Sequence, residues 1–477
     1  MTESFDANHL VQQLRGAFDE GLTRDLQGRR ETLRAMAYML QDNRAAIAAA
    51  YAQDLGWEAE EVYLLELDRC LDEVLYLESH LESLCSPTRV SGGLVYPFSS
   101  PHVLREPFGV SLILGAWNYP LQLSLFGFAG AIAAGNTAIL KLSEHAPTIN
   151  HLLAGLLETF LDSRLYRVVQ GDASVAQSLT RANVDFVLFT GNGAVGKEVY
   201  KTAAEHLTPV ALELGGMCPA IVDGSFDLDL AAKRIVWAKF ANAGQTCVAV
   251  NHVIVLRQHY ENFVKALQKW VVIRFPDISQ SKKIINARHY GRLQSLLGST
   301  KGKTHLKASF TDTQEDRVMA PVIVTDLQAD DPVLAEEIFG PICPVLAVDS
   351  LEEAVRHTRS RGSPLALYVF SSDRKSQEYL RSHIQSGAVV HNDALLQMGL
   401  LGLPFGGVGS SGFGRYHGRR TFEMFSYERS IMSSPSWFEP LLSLRYPPLA
   451  GFKYFIISLL MRKRSSTSRS WLLEDTD

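Results

Sequence analysis

Phe108-Gly-Val-Ser-Leu-Ile-Leu-Gly-Ala-Trp-Asn-Tyr-Pro120 opens the part of the chain that decides the fold. Val110-Ser-Leu-Ile-Leu114 is short, apolar and bounded by glycines, the mark of a buried strand. Working outward, an apolar helix over Ser124 to Ala134 is followed by strand-like Ala138-Ile-Leu140 and a helix over Asn150 to Leu161. Arg167-Val-Val169, a helix through the 170s, Phe186-Val-Leu-Phe189, a helix from Val195 and Pro209-Val-Ala-Leu-Glu213 continue the series. Short strands at a spacing of roughly 20 to 30 residues, with helices between them, predict the α/β class and a parallel doubly wound sheet. Ligands of such sheets bind beyond the C-terminal strand ends.

Before this stretch, residues 1–85 carry Leu, Ala and Met at helical spacing among charged residues, as in Arg30-Glu-Thr-Leu-Arg-Ala-Met-Ala-Tyr-Met-Leu40. Residues 86–106 are rich in Pro, Ser and Gly, and Gly93-Leu-Val-Tyr-Pro-Phe98 reads as an extended excursion. After it comes a second α/β stretch. Strands are expected at Val253–Leu256, Pro321–Val324, Val345–Val348, Leu365–Phe370 and Gly387–Val390, with helices at 230–241, 258–270, 351–360 and 373–383. The run Leu403-Pro-Phe-Gly-Gly-Val-Gly-Ser-Ser-Gly-Phe-Gly414 is expected to be irregular, because glycines lose most entropy in regular structure.

A chain of 477 residues, 46% hydrophobic, is too long for one simple core and implies two or more domains. The net charge of -5 gives no reason to expect a nucleic-acid partner. The five cysteines are scattered, odd in number and without a C-x-x-C pair, so reduced thiols in a cytoplasmic compartment are expected rather than disulfides or zinc. No signal peptide is read at Met1–Leu10, and no apolar run reaches the ~20 residues of a spanning helix.

Several residues could carry chemistry. Cys247, in Ala243-Gly-Gln-Thr-Cys-Val-Ala249, follows a helix in a tight loop; with a lowered pKa it would be a nucleophile, and otherwise it is a buried structural thiol. Glu213, in Leu212-Glu-Leu-Gly-Gly216, stands at a strand end and could activate water, or be a solvated turn residue. Gly191-Asn192-Gly193-Ala194-Val195-Gly196 is a Gly-rich strand-to-helix turn. It can present N–H groups to a ribose or pyrophosphate, or be a plain βα turn. Lys141 and Glu144 place a cation and an anion three apart, suited to ribose hydroxyls or to pairing with each other. Asn118, after the first strand, can donate to an oxyanion or serve as a turn residue. Glu336-Glu337-Ile-Phe-Gly-Pro341 is a further acidic turn.

Together these segments resemble the aldehyde dehydrogenase superfamily. The matching motifs are Trp117-Asn-Tyr-Pro, Gly135-Asn-Thr, Phe189-Thr-Gly, Leu212-Glu-Leu-Gly-Gly, Gly244-Gln-Thr-Cys, Glu337-Ile-Phe-Gly-Pro and Pro404-Phe-Gly-Gly-Val-Gly, in family order over residues 5–430. The short helical N-terminus and Tyr416-His-Gly resemble class 3, and Leu444-Arg-Tyr-Pro-Pro448 the membrane-associated 3B branch, which is fatty aldehyde dehydrogenase-like.

The resemblance implies a Rossmann-like cofactor domain (1–85 and 107–212), an α/β catalytic domain (213–395), a bridging and oligomerisation element (86–106 and 396–440) and a tail (441–477). It implies NAD or NADP as cofactor, an aldehyde as substrate and a homodimer. Position by position, Cys247 matches the nucleophile, Glu213 the general base, and Asn118 with the Cys247 backbone N–H the oxyanion donors. Lys141 and Glu144 match contacts to the adenosine ribose, and Gly191 to Gly196 the cofactor loop. Glu337 and Phe405 match the nicotinamide-ribose side. The choice of cofactor stays open, since Glu144 repels a 2′-phosphate and Lys141 attracts one.

Four positions depart from the family pattern: Leu142, Met217 with Cys218, and Val250 before Asn251. Three rival functions are weighed: a CoA-acylating dehydrogenase, a non-catalytic binding or assembly member, and a thiol hydrolase, for which no motif supplies the His partner that Cys247 would need. Glu213 favours water over coenzyme A, and the Cys247, Glu213 and Asn118 set favours catalysis. Leu449 to Met461 is an apolar stretch of about thirteen residues, too short to span a bilayer, followed by Arg462-Lys-Arg464. Residues 449–464 are expected either to lie on a cytoplasmic membrane face or to pack on the protein. The terminal Leu473-Glu-Asp-Thr-Asp477 has no cysteine for prenylation.

Overall fold

The computed structural model describes residues 5–91, 99–277, 281–305 and 315–461. The chain divides into two compact units, Met1–Leu84 with Pro107–Ser426 and Cys85–Glu106 with Tyr427–Asp477.

The first unit holds two sheets. In one, β1 (Val110–Leu114), β2 (Thr137–Lys141), β3 (Tyr166–Val169), β4 (Phe186–Gly191) and β5 (Val210–Leu214) run parallel. Their spatial order is β5-β4-β1-β2-β3. Both β1 and β2 are buried along their whole length. A parallel sheet covered on both faces leaves no solvated side, so its strands read as nearly unbroken apolar runs. The helix between them, Gln122–Ala134, is buried on almost every side, as an apolar helix without a polar stripe must be. The chain winds outward from β1 to β3, then crosses back to place β4 and β5 on the other side. That reversal opens a crevice at the C-terminal ends of β1 and β4.

The second sheet comprises β6 (Pro219–Val222), β7 (His252–Leu256), β8 (Lys303–His305), β9 (Val322–Thr325), β10 (Ile342–Val348), β11 (Ala366–Phe370) and β12 (Ala388–His391). Their order is β8-β9-β10-β7-β6-β11-β12, with only β8 antiparallel. Strand β6 lies inside this sheet yet was not expected from sequence. It has four residues, follows two glycines and begins with Pro219, a residue tolerated at the first position of a strand. The helix Ala287–Ser299 and strand β8 were likewise not anticipated.

The Gly-rich run 403–414, expected to be irregular throughout, ends in β13 (Gly412–Phe413), which pairs antiparallel with Glu213 and Leu212 of β5. Gly412 has φ 108°, and a Cβ there would lie 1.9 Å from the Leu212 carbonyl oxygen. Only glycine lets this strand reach the edge beside Glu213.

Residues 5–85 are helical as expected: Ala7–Asp19, Leu26–Asp42, Arg44–Asp54, Ala59–Val62, a π turn Tyr63–Leu67 and Asp68–Cys85. The second unit contains a three-stranded sheet of Thr88–Arg89, His102–Pro107 and Ser426–Ile431. Ion pairs Arg105–Glu428 (2.6 Å) and Arg429–Glu106 (2.9 Å) cross it. The helix Phe452–Met461 exposes Phe452, Tyr454, Phe455 and Leu459. No helix among the described residues is long and apolar enough to cross a membrane. Gly93–Phe98, Arg462–Arg464 and Leu473–Asp477 lie outside the described residues.

His252, the first residue of β7, and His357 of the helix Leu351–Arg359 are buried with ring centroids 5.3 Å apart, and neither Nε2 has a hydrogen-bond partner among the described residues. Burial, then His357, Arg361 and Lys239, holds His252 well below its ordinary value. Burial and Arg361 bring His357 down to about 4. The unfolded chain takes up these protons near pH 6.5 and the folded chain does not, so the stability these groups contribute is full above about pH 6.5 and is lost as pH falls toward 4. The unfolding free energy, and the melting temperature with it, is therefore expected to fall between pH 7.5 and 5, with a slope of at most about 1.4 kcal/mol per histidine per pH unit. A His252→Asn, His357→Gln double variant should flatten that slope in calorimetry; an unchanged slope would refute the assignment.

Candidate active site

A cavity of about 710 Å³ lies at the C-terminal ends of the first sheet. Four of the five parallel strands deliver residues to it. Trp117 and Asn118 follow β1, Lys141 ends β2, and Glu144 stands just beyond. Gly191 ends β4, with Asn192 and Val195 after it, and Glu213 lies in β5. From the second sheet's side come Cys247, Glu337 and Phe405. Thus Cys247, Glu213 and Asn118, distant in sequence, line one space.

Gly193, Ala194 and Gly196 sit in the first turn of the helix Gly193–Ala204. Asn192 caps it, its side-chain oxygen accepting the Val195 N–H at 3.0 Å. Lys141 is buried and donates to Glu144 at 2.7 Å. Burial is the largest influence and raises the Glu144 carboxyl, but the bond and charge of Lys141, a backbone N–H and His145 together hold the group below its ordinary value.

The loop before Cys247 is strained. Asn242 (φ 49°) and Ala243 (φ 52°) are left-handed, a conformation costing non-glycine residues roughly 1–2 kcal/mol each. Gly244 (φ 74°) passes so close to the Gly340 carbonyl that a Cβ would lie 2.3 Å from its oxygen. Hydrogen bonds hold the conformation. Asn242 Nδ2 donates to the Asn118 carbonyl (2.9 Å) and the Gln245 carbonyl (3.2 Å), and Asn242 Oδ1 accepts the Trp57 indole N–H (2.8 Å). Asn118 Nδ2 donates to the Gln245 carbonyl (3.1 Å), and the Tyr119 and Thr246 hydroxyls meet at 2.9 Å. The Asn118 loop and the Cys247 loop are therefore one bonded frame.

A lowered Cys247 pKa, the condition named for a nucleophile, is not found. Burial pushes the thiol well up, and Glu337, Cys218 and Glu213 add to the shift. The helix Leu228–Phe240 leads into the loop with its C-terminal end, the wrong pole for a thiolate. Glu213 is buried, and neither carboxyl oxygen has a hydrogen-bond partner among the described residues. Burial drives it well above the ordinary carboxylate range, opposed by Arg415. Glu337 is raised to about 7 by burial, opposed by the Gly216 N–H that donates to it at 3.1 Å and by Arg292 and Lys239.

Sequence reasoning missed Arg288, His289 and Arg292, which line the cavity from helix Ala287–Ser299. Their i, i+4 spacing was a signal only once a helix was expected there. Trp57 and Asn242 were missed as well. Where the chain departs from the family pattern, the structure absorbs the change. Leu142 and Val250 are buried, the Ala366 N–H donates to Cys218 Sγ at 3.2 Å, and Asn251 Oδ1 accepts the Ile338 N–H at 2.9 Å.

The sequence profile of the aldehyde dehydrogenase family matches residues 1–431. The chain belongs to that family. Mouse aldehyde dehydrogenase family 3 member B1 is 38% identical over 458 residues, covering 95% of this chain and 97% of the relative. A rat relative named "Aldehyde dehydrogenase, dimeric NADP-preferring" is 39% identical over 442 residues, covering 92% and 97%. The solved structure of Staphylococcus aureus AldH in a substrate-bound state superimposes with a TM-score of 0.91 at 33% identity, covering 95% of this chain and 99% of that one.

This aldehyde dehydrogenase is thus an oxidoreductase that oxidises aldehydes with NAD or NADP. The cavity suits such a cofactor. It brings together the Lys141–Glu144 pair, the capped helix start at Asn192 and an unpartnered carboxyl at Glu213.

Proposed function

We propose that this dehydrogenase oxidises medium- to long-chain fatty aldehydes to carboxylic acids through a thioester on Cys247. The observation that carries the reading is the meeting of Cys247, Asn118 and the unpartnered Glu213 in one cavity. The Cys247 thiol gives up its proton to water in the open cavity, and the resulting thiolate adds to the aldehyde carbon. The Asn118 amide and the Cys247 backbone N–H donate to the oxyanion, where fixed donors act strongly in a water-poor site. The bound nicotinamide supplies the hydride acceptor. Glu213 then takes a proton from water, which attacks the thioester and releases the acid and the thiol.

Lys141 and Glu144 are assigned to the adenosine ribose, residues 191–196 to the remainder of the cofactor, and Glu337 and Phe405 to the nicotinamide ribose. Residues 1–85 and 107–212 are assigned to cofactor binding, 213–395 to catalysis, and 86–106 with 396–440 to bridging two copies in a homodimer. Residues 449–464 are assigned to peripheral contact with a cytoplasmic membrane face. The exposed Phe452, Tyr454, Phe455 and Leu459 support the last assignment.

One experiment tests substrate and membrane together. NADH formation is measured from acetaldehyde to hexadecanal, with and without anionic vesicles, for the full chain and for a chain ending at Pro448. The specificity constant should rise with aldehyde length, and the full chain alone should sediment with vesicles. A maximum at acetaldehyde would overturn the fatty substrate; equal sedimentation would overturn the membrane contact.

A further inference from the structure

The helical segment from Tyr63 to Cys85 buries two carboxylates, Glu66 and Glu73, each at 0% exposure. Neither lines the cavity around Cys247. Removing a carboxyl from water is unfavourable unless its oxygens are bonded to something that needs them.

Glu66 sits in the π turn Tyr63–Leu67. Such turns displace the normal helical bonding and recur at functional sites. Here the turn grips the start of helix Gln122–Ala134. Glu66 Oε2 accepts the backbone N–H of Gln122 at 2.9 Å, and the Leu65 carbonyl accepts the Gln122 side-chain amide at 2.5 Å. Tyr51 Oη accepts the Leu121 N–H at 3.0 Å.

First-turn N–H groups have no partner within their own helix, and Leu121 has no side-chain acceptor to cap them. A carboxyl and a phenol from other helices do so instead. This matters for the site because Asn118 lies only three residues before Leu121. The loop Trp117–Pro120 is fixed at one end by β1 and at the other by these bonds. The same helix holds two other loops: Arg69 donates to the Gly399 carbonyl at 2.9 Å, and Glu73 accepts the Gly418 N–H at 2.8 Å.

We propose that Glu66 is a positioning residue for the oxidation: by holding the N–H of Gln122 it sets where the Asn118 amide stands relative to Cys247. The inference rests on Asn118 being an oxyanion donor. Burial pushes Glu66 up to about 8, against the opposing bonds of Gln122 and Tyr51. Burial thus favours its neutral form, and Gln offers the same carbonyl acceptor to the Gln122 N–H.

The test is steady-state kinetics with NAD and hexanal on Glu66→Leu, Glu66→Gln, Tyr51→Phe and Asn118→Ala, with the first three also combined with Asn118→Ala. Glu66→Leu should lower kcat by about tenfold or more, the scale of a small misplacement of a catalytic group, with KM for NAD unchanged. Glu66→Gln should recover most of the loss. With Asn118 already Ala, removing Glu66 should cost less than about twofold, because acting as one unit makes losses non-additive. Should Glu66→Leu fail to fold, Tyr51→Phe carries the same cycle through the Leu121 N–H, with the ring left in place. Additive losses, or a lowered melting temperature with normal kcat, would overturn the inference alone. A fully active Asn118→Ala would overturn the oxyanion assignment and this inference with it.

Discussion

Cys247→Ala is expected to reduce NADH formation by about 10,000-fold or more, since Cys247 is the only cysteine lining the cavity among the described residues. Folding should be spared. Cys247 is only partly buried and lines a cavity, so deleting its sulfur leaves no sealed void in the core. The check is the pairing of a lost rate with an unchanged melting temperature, plus loss of the acyl adduct seen by mass spectrometry after rapid quenching. A variant that keeps even a tenth of the rate would remove Cys247 from the mechanism.

Glu213→Gln separates the two halves of the reaction. Hydride transfer does not need the base, so a burst of about one reduced cofactor per site should survive. Turnover should then fall by about 100- to 10,000-fold as the thioester accumulates, the range for loss of a general base. Gln preserves the shape of a side chain that has no hydrogen bond to lose within the protein. Stopped-flow absorbance of the reduced cofactor is the measurement. Normal steady-state turnover would show that another group activates water. Absence of the burst would show that Glu213 acts before hydride transfer.

Much of this was legible in the sequence because it depends on local constraints. β1 and β2 are buried on both faces, so Val110–Leu114 and Ala138–Leu140 read as strands without help from the rest of the chain. The glycines around β4 and Glu213 marked turns in the same way. Strand β6 was invisible because its four residues carry too little pattern, and its place in the sheet comes from pairing with β7 and β11 on both sides.

The frame of the site was illegible for a different reason. Trp57 bonds to Asn242 across 185 positions, and Glu66 to Gln122 across 56. No periodicity encodes such pairs. Asn242 and Ala243 adopt left-handed backbone that their residue types do not favour, so only the assembled loop explains them. The protonation state of Cys247 was hidden too, since burial and the carboxyls of Glu337 and Glu213 act through the fold.

That raised thiol has a consequence for how the protein ages. Oxidants and electrophiles attack the thiolate, and a sulfur kept protonated is a slow target for peroxide and alkylating agents alike. The raised thiol of Cys247 thus slows these side reactions in the resting enzyme. An irreversible inhibitor would then do best by recruiting the occupied enzyme, and screens run on the resting protein would overlook such compounds.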